Sequence, residues 1–153
     1  MNRILATLLC LVASIVILPA AHAQKGLSIE QAFTPDYTML PESTETLLKQ
    51  SRLHNISLSL YRALSIAGNA DKAFAVERMV ISDGRRATSK EVRYSSGHLV
   101  YGLYVLPQRK GENRYILFLN GNLTGSGKML LLYLEGEASV SDIKKLINKG
   151  NKQ

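Results

Sequence analysis

Residues 98–136, HLVYGLYVLPQRKGENRYILFLNGNLTGSGKMLLLYLEG, form the densest apolar segment of the chain behind its N-terminal leader, and their reading decides the fold. Turn residues at 107–111 (PQRKG) and 121–127 (GNLTGSG) divide the segment into runs at 99–106, 114–120 and 129–135. Short runs rich in β-branched, aromatic and leucine residues, bounded in this way, read as strands joined by hairpins. Helix is the competing reading for leucine-rich sequence. No run reaches the about ten to twelve uninterrupted residues a helix wants, and Gly102 sits inside the first. The segment is therefore expected to be a three-stranded antiparallel meander.

Side chains of a strand alternate between faces. In the tightest register the loops allow, Leu103 lies opposite Ile116 and Ile116 opposite Leu132, while Tyr104 lies opposite Tyr115 and Tyr115 opposite Tyr133. That register predicts a cross-strand tyrosine row, Tyr104, Tyr115 and Tyr133, flanked by Leu106, Leu117 and Leu131. Leu103, Val105, Phe118 and Leu134 fall on the opposite face. Both faces are apolar, whereas a sheet wetted on one side alternates apolar with polar. Helices of the same chain are the first expectation for cover. If the tyrosine row stays partly open, it is a partner-facing surface, since a contiguous exposed apolar patch marks an interaction site and tyrosine can bury its ring while its hydroxyl stays wet.

Residues 1–23 carry one basic residue (Arg3), an apolar run at 4–18, a breaker at Pro19 and the triplet Ala21-His22-Ala23. This is the pattern of a secretory signal with an A-x-A cleavage site, and Gln24 is the expected first residue after cleavage. The run is shorter than the roughly twenty residues that span a bilayer. The single cysteine, Cys10, lies inside the leader, so residues 24–153 contain none. That excludes disulfides, thiolate metal sites and cysteine nucleophiles from the cleaved chain. Residues 24–153 are expected to form one domain, large enough to bury a core unaided. Removing Arg3 leaves 18 of the 19 basic side chains against 12 acidic ones, a net charge of +6.

Outside the meander, Ser28-Ile-Glu-Gln31 has capping-box spacing for a short helix ending before Pro35, and 37–41 reads as extended. Residues 43–53 read as a helix burying Leu47, Leu48 and Leu53. Residues 55–67 alternate well enough for a strand, with a slip near Arg62 and Ala63. Asn69 is a suitable N-cap for a helix over 70–82, with Asp71 in its first turn. Residues 90–95 read as a further strand. Ser139-Val-Ser-Asp142 is a second capping box, with Ala138 and Ile143 as its hydrophobic staple, opening a helix over 139–148. The fold class is α+β, a mainly antiparallel sheet of about five strands packed with two main helices.

Motifs that carry chemistry are sparse. Behind the leader stand two histidines, His54 and His98, and neither belongs to a metal-ligand spacing, so no metal and no cofactor is expected. No nucleophile elbow is present; Gly125-Ser126-Gly127 reads as a turn. The run into Lys128 imitates a phosphate loop, but Asn122 stands in place of the first glycine, Met129 in place of the hydroxyl residue, and a strand follows instead of a helix. The sequons at Asn55 and Asn122 matter only in a glycosylating pathway, which a bacterial-type leader does not enter.

The order of these elements, with LSLYRALSI at 58–66, LVYGLYVLP at 99–107, RYILFL at 114–119 and LLLYLEGEASVSDIKKLI at 130–147, resembles the small exported domain-of-unknown-function proteins of anaerobic Gram-negative gut bacteria. The resemblance implies the compartment and the α+β layout, and it brings neither an activity nor site residues.

The resulting expectation is a non-catalytic exported module, periplasmic or secreted, that binds an unidentified protein or itself through Tyr104, Tyr115, Tyr133, Leu106, Leu117 and Leu131. An envelope-directed hydrolase or transferase is the alternative from a different class. A third reading lays a basic patch of Arg85, Arg86, Lys90 and Arg93 on anionic lipid or polysaccharide. Export argues against nucleic acid as the partner.

Overall fold

The computed structural model describes residues 25–53 and 55–150. The expected leader and its cleavage point, His54 and the tail 151–153 lie outside them. The described residues form six strands: β1 Ser43–Leu53, β2 Ile56–Ala67, β3 Ser89–Ser95, β4 His98–Arg109, β5 Glu112–Asn120 and β6 Lys128–Gly136. They make one antiparallel sheet in the order β1-β2-β6-β5-β4-β3. A 3-10 helix at Ser28–Phe33 and one helical turn, α1, at Pro35–Thr38 precede the sheet. Helix α2, Ala70–Gly84, links β2 to β3, and α3, Val140–Gly150, follows β6.

The sixth strand is the segment expected to be a helix. An edge strand exposed on both sides shows no two-residue period, and Glu45, Leu47, Leu48, Lys49 and Gln50 are good helix formers, so local sequence points the wrong way. Pairing with β2 decides the matter: Leu47 lies opposite Arg62 and Leu48 opposite Tyr61, on opposite faces, and both leucines remain exposed. Leu53 pairs with Ile56 across the tightest kind of hairpin, where Asn55 takes the left-handed φ of +67° that asparagine tolerates. The expected extended piece at 37–41 is also corrected, because α1 covers its first residues.

The meander forms as expected, but β5 is turned over. Leu103 lies opposite Leu117, and Leu117 opposite Leu132; Tyr104 lies opposite Ile116, and Ile116 opposite Tyr133. The β4–β5 ladder is irregular between Leu106 and Arg109, where Pro107 has no N–H to give it. One extra residue there moves every side chain of β5 to the other face. Tyr115 consequently faces away from Tyr104 and Tyr133, opposite Val105 and Leu134.

Two cores result. On one face α2 and the 3-10 helix bring Ile29, Phe33, Ala73, Val76 and Val80 onto Leu64, Tyr104, Phe118, Leu131 and Tyr133. On the other, α3 brings Ile143 onto Leu58, Leu103, Tyr115, Leu117 and Leu134. Helix α2 is capped by Asn69, whose side chain accepts from the Lys72 N–H, and it is fastened at two further points. The Glu77 carboxylate accepts the Leu99 N–H at 2.9 Å and lies 3.2 Å from His98 Nδ1, while the His98 ring stacks on Phe74. Asp83, wholly buried, accepts the N–H groups of Ser28 and Ile29 at 2.7 and 2.9 Å. The capping box expected at Ser28 is replaced by this distant carboxylate, which satisfies two donors at once and carries more negative charge to the helix start than a serine could. The box at Ser139 forms as expected: Ser139 Oγ accepts from the Asp142 N–H, and Asp142 accepts from the Ser139 N–H at 3.0 Å. The Ser139 hydroxyl, donating to the Asp142 carboxylate at 2.7 Å, and the Ser139 N–H together hold that carboxyl below its ordinary range. No helix among the described residues is long and apolar enough to cross a membrane.

Candidate functional site

The six side chains expected to face a partner do not do so. Tyr104, Leu106, Leu131 and Tyr133 lie beneath α2 and the 3-10 helix, Tyr115 and Leu117 beneath α3, and none is more than 3% exposed. The Tyr104 ring fits under the last residue of α2, where a Cβ on Gly84 would run into it. Each of the other two phenols is used internally. Tyr115 donates to the Ala138 carbonyl at 2.6 Å and pins the start of α3. Tyr133 donates to Glu135 Oε2 at 2.9 Å and accepts from Arg114 Nε at 2.8 Å. Burial pushes the Tyr104 and Tyr133 phenols up to about 12. Glu135 is also approached by Arg109 at 3.4 Å, so the Tyr133 phenol and the Glu135 carboxylate are taken up within the fold.

The expected basic patch does not converge either. Arg86 is held at the end of α2 by the Gly26 carbonyl at 2.8 Å and by Asp83 at 3.5 Å. Arg85, beside it, follows the last residue of α2. On β3, Lys90 lies opposite Tyr104, on the α2 face, while Arg93 lies opposite Tyr101, on the α3 face. Three residues of strand separate side chains to opposite sides.

Arg93 belongs instead to a feature that sequence reasoning missed. Helix α3 covers only part of its face, and beyond its last turns the sheet is left open as a groove of about 730 Å³. One cross-strand row runs along the floor: Arg93, Tyr101, Leu119, Leu130 and Ser65, on β3, β4, β5, β6 and β2. Ile147 and Asn148 of α3 form one wall, and Thr124 and Ser126 of the β5–β6 loop form the other. That loop is a fixed wall. Gly121 and Lys128 close it through an N–H to carbonyl bond at 2.7 Å, the Gly127 N–H returns to Gly121 at 3.0 Å, and a Cβ at Gly121 would strike Ser126 and the Lys128 carbonyl.

The groove is asymmetric in charge. Glu91 lines it but is taken up by Lys144 of α3 at 2.7 Å, an exposed pair that holds the lysine above its ordinary range and adds little stability. Arg93 and Lys128 have no ion-pair partner among the described residues, and both are exposed. The Arg93 guanidinium stands 6.0 Å from the centre of the Tyr101 ring. Half-buried, the Tyr101 phenol is raised by desolvation and by Glu91, with Lys144 and Arg93 opposing. Asn120, buried at the wall, accepts from Asn122 at 3.2 Å, and its own amide donor has no acceptor among the described residues. Such an arrangement can hold an anion and shelter an apolar chain. Among the described residues no group of three or more His, Asp or Glu side chains is gathered as a metal would need.

The signal for this site lay in the sequence only as scattered residues. Arg93, Tyr101, Leu119 and Leu130 belong to four strands, and their common row appears once the register of β5 is known.

Residues 16–147 match the model of a family of unknown function (DUF6108), and the chain belongs to that family. No curated protein and no solved structure matches it.

Proposed function

We propose that this member of the DUF6108 family is an exported, non-catalytic binding module, working in the periplasm of a Gram-negative bacterium or outside the cell, that takes its ligand in the α3-side groove. The compartment rests on the leader pattern of residues 1–23 and on the resemblance to envelope proteins of gut anaerobes. The observation that carries the binding role is the contrast in cover. One face of the sheet is closed, while the other leaves Tyr101, Leu119 and Leu130 half-exposed between two walls, with two unpaired cations at the rim. The volume is within the about 300–1,000 Å³ of typical ligand sites. The groove's own acidic group, Glu91, is committed to Lys144, which leaves cations and hydroxyls for recognition.

Two measurements test this reading. Expression in a Gram-negative host followed by N-terminal sequencing is expected to give a periplasmic chain starting at Gln24; a cytoplasmic chain retaining its leader removes the compartment. Hydrogen exchange of the mature protein with concentrated envelope extract is expected to slow at 91–101 and 119–130 and to leave a Leu130→Glu variant unchanged. Identical exchange with and without extract removes the groove as a binding site.

A further inference from the structure

We infer that the groove takes an extended acidic peptide from a protein partner, about four or five residues long, with a carboxylate toward each end and aliphatic side chains between. This deepens the binding reading above and rests on it. The first argument is the spacing of charge. Arg93 and Leu130 are three strand intervals apart along the floor row, and Lys128 is one pleat repeat further along β6. At roughly 4.8 Å per interval and about 3.3 Å per residue, the Cα atoms of Arg93 and Lys128 stand roughly 15 Å apart, the span of four to five extended residues. A single anionic head could meet both only if both long side chains reached inward over the apolar floor.

The second argument is the lining. Leu119 and Leu130 give an aliphatic floor suited to leucine, valine or isoleucine, whereas sugar rings stack on aromatic surfaces, of which the floor has one. The walls carry hydroxyls and an amide at Thr124, Ser126 and Asn148. These match the N–H and C=O groups of a peptide backbone and would be wasted on an acyl chain, which is removed from water most completely in a closed tunnel, not an open groove. The fixed loop wall means the site is formed before the ligand arrives, which spares the ordering cost of binding.

The test pans mature protein against a displayed library of random heptapeptides. Enriched sequences are expected to carry two acidic residues flanking aliphatic ones. The synthesised best binder should lose about tenfold or more in affinity for Arg93→Gln and again for Lys128→Gln, and should bind more weakly as salt rises. Both side chains are exposed, so thermal melting should not change, which separates lost recognition from lost folding. Phosphatidylglycerol vesicles and polygalacturonate are tested in parallel. Absence of enrichment, enrichment without acidic residues, or peptide binding indifferent to both variants overturns the assignment. If vesicles or polygalacturonate bind and lose binding in the same two variants while the library yields no acidic peptide, the groove is a site for that other anion and the peptide assignment is wrong. Failure of envelope extract to protect the groove removes the underlying reading as well.

Discussion

Phe118 and Leu119 are neighbours on β5, yet they inhabit different molecules in a physical sense. Phe118 is fully buried beneath α2, whereas Leu119 faces the groove and stays partly wet. The α2 face is roofed by a helix pinned at Glu77 and Asp83 as well as by packing. The α3 face is roofed by a shorter helix fastened by one capping box, one phenol and an exposed ion pair. The first face does the work of stability, and the second keeps surface in reserve. A sheet with two apolar faces can thus be a stable scaffold and still offer a site, provided that the covers differ in reach.

The comparison can be broken by substitution. Phe118→Ala should cost about 3–5 kcal/mol in urea unfolding, as for large core aromatics, whereas Leu119→Ala should cost about 1 kcal/mol because its side chain is only half removed from water. Equal costs would mean that the groove is filled in solution. Asp83→Ala should cost about 2 kcal/mol, since it strands the N–H groups of Ser28 and Ile29 without acceptors, and hydrogen exchange at those two amides should speed up. Ser139→Ala should cost about 1 kcal/mol and raise exchange through α3 while leaving α2 unchanged. If both helices respond alike, the two roofs are one cooperative unit.

Alkaline titration sharpens the same contrast with a smaller effect. Tyr104 and Tyr133 on the closed face are pushed to about 12 in the folded protein, above the ordinary phenol value of 10. A raised folded value means that the unfolded chain loses these protons first. Their stabilising contribution is complete below pH 10 and is lost as pH rises toward 12. Unfolding midpoints should fall over that window, and Tyr104→Phe with Tyr133→Phe should flatten the slope. An unchanged slope would show that these phenols do not govern alkaline stability.

Much of the scaffold was legible from residues. The meander was visible in its punctuation, α2 in Asn69 and its apolar face, and α3 in Ser139, Asp142 and the Ala138–Ile143 staple. What escaped had physical causes. Strand β1 is held by its partner and not by its own pattern, so Leu47 and Leu48 looked like a helix stripe. The register of β5 depends on one irregularity at Pro107, and the tightest-hairpin assumption put Tyr115 and Leu117 on the wrong face. The groove depended on that register and on where α3 stops, neither of which any single stretch encodes. Arg93 was noticed for its charge and grouped with Lys90, although strand geometry sends the two apart.

The ladder between β2 and β6 joins strands from the two halves of the chain, with Leu64 beside Leu131 and Ala67 beside Lys128. Until β6 exists, the hairpin of β1 and β2 has no sheet to join, and an isolated hairpin is marginal in water. Assembly of the domain therefore waits on its last third, so a chain truncated before residue 128 should stay unstructured. Such high contact order predicts folding on the slow, millisecond-to-second side for a domain of this size.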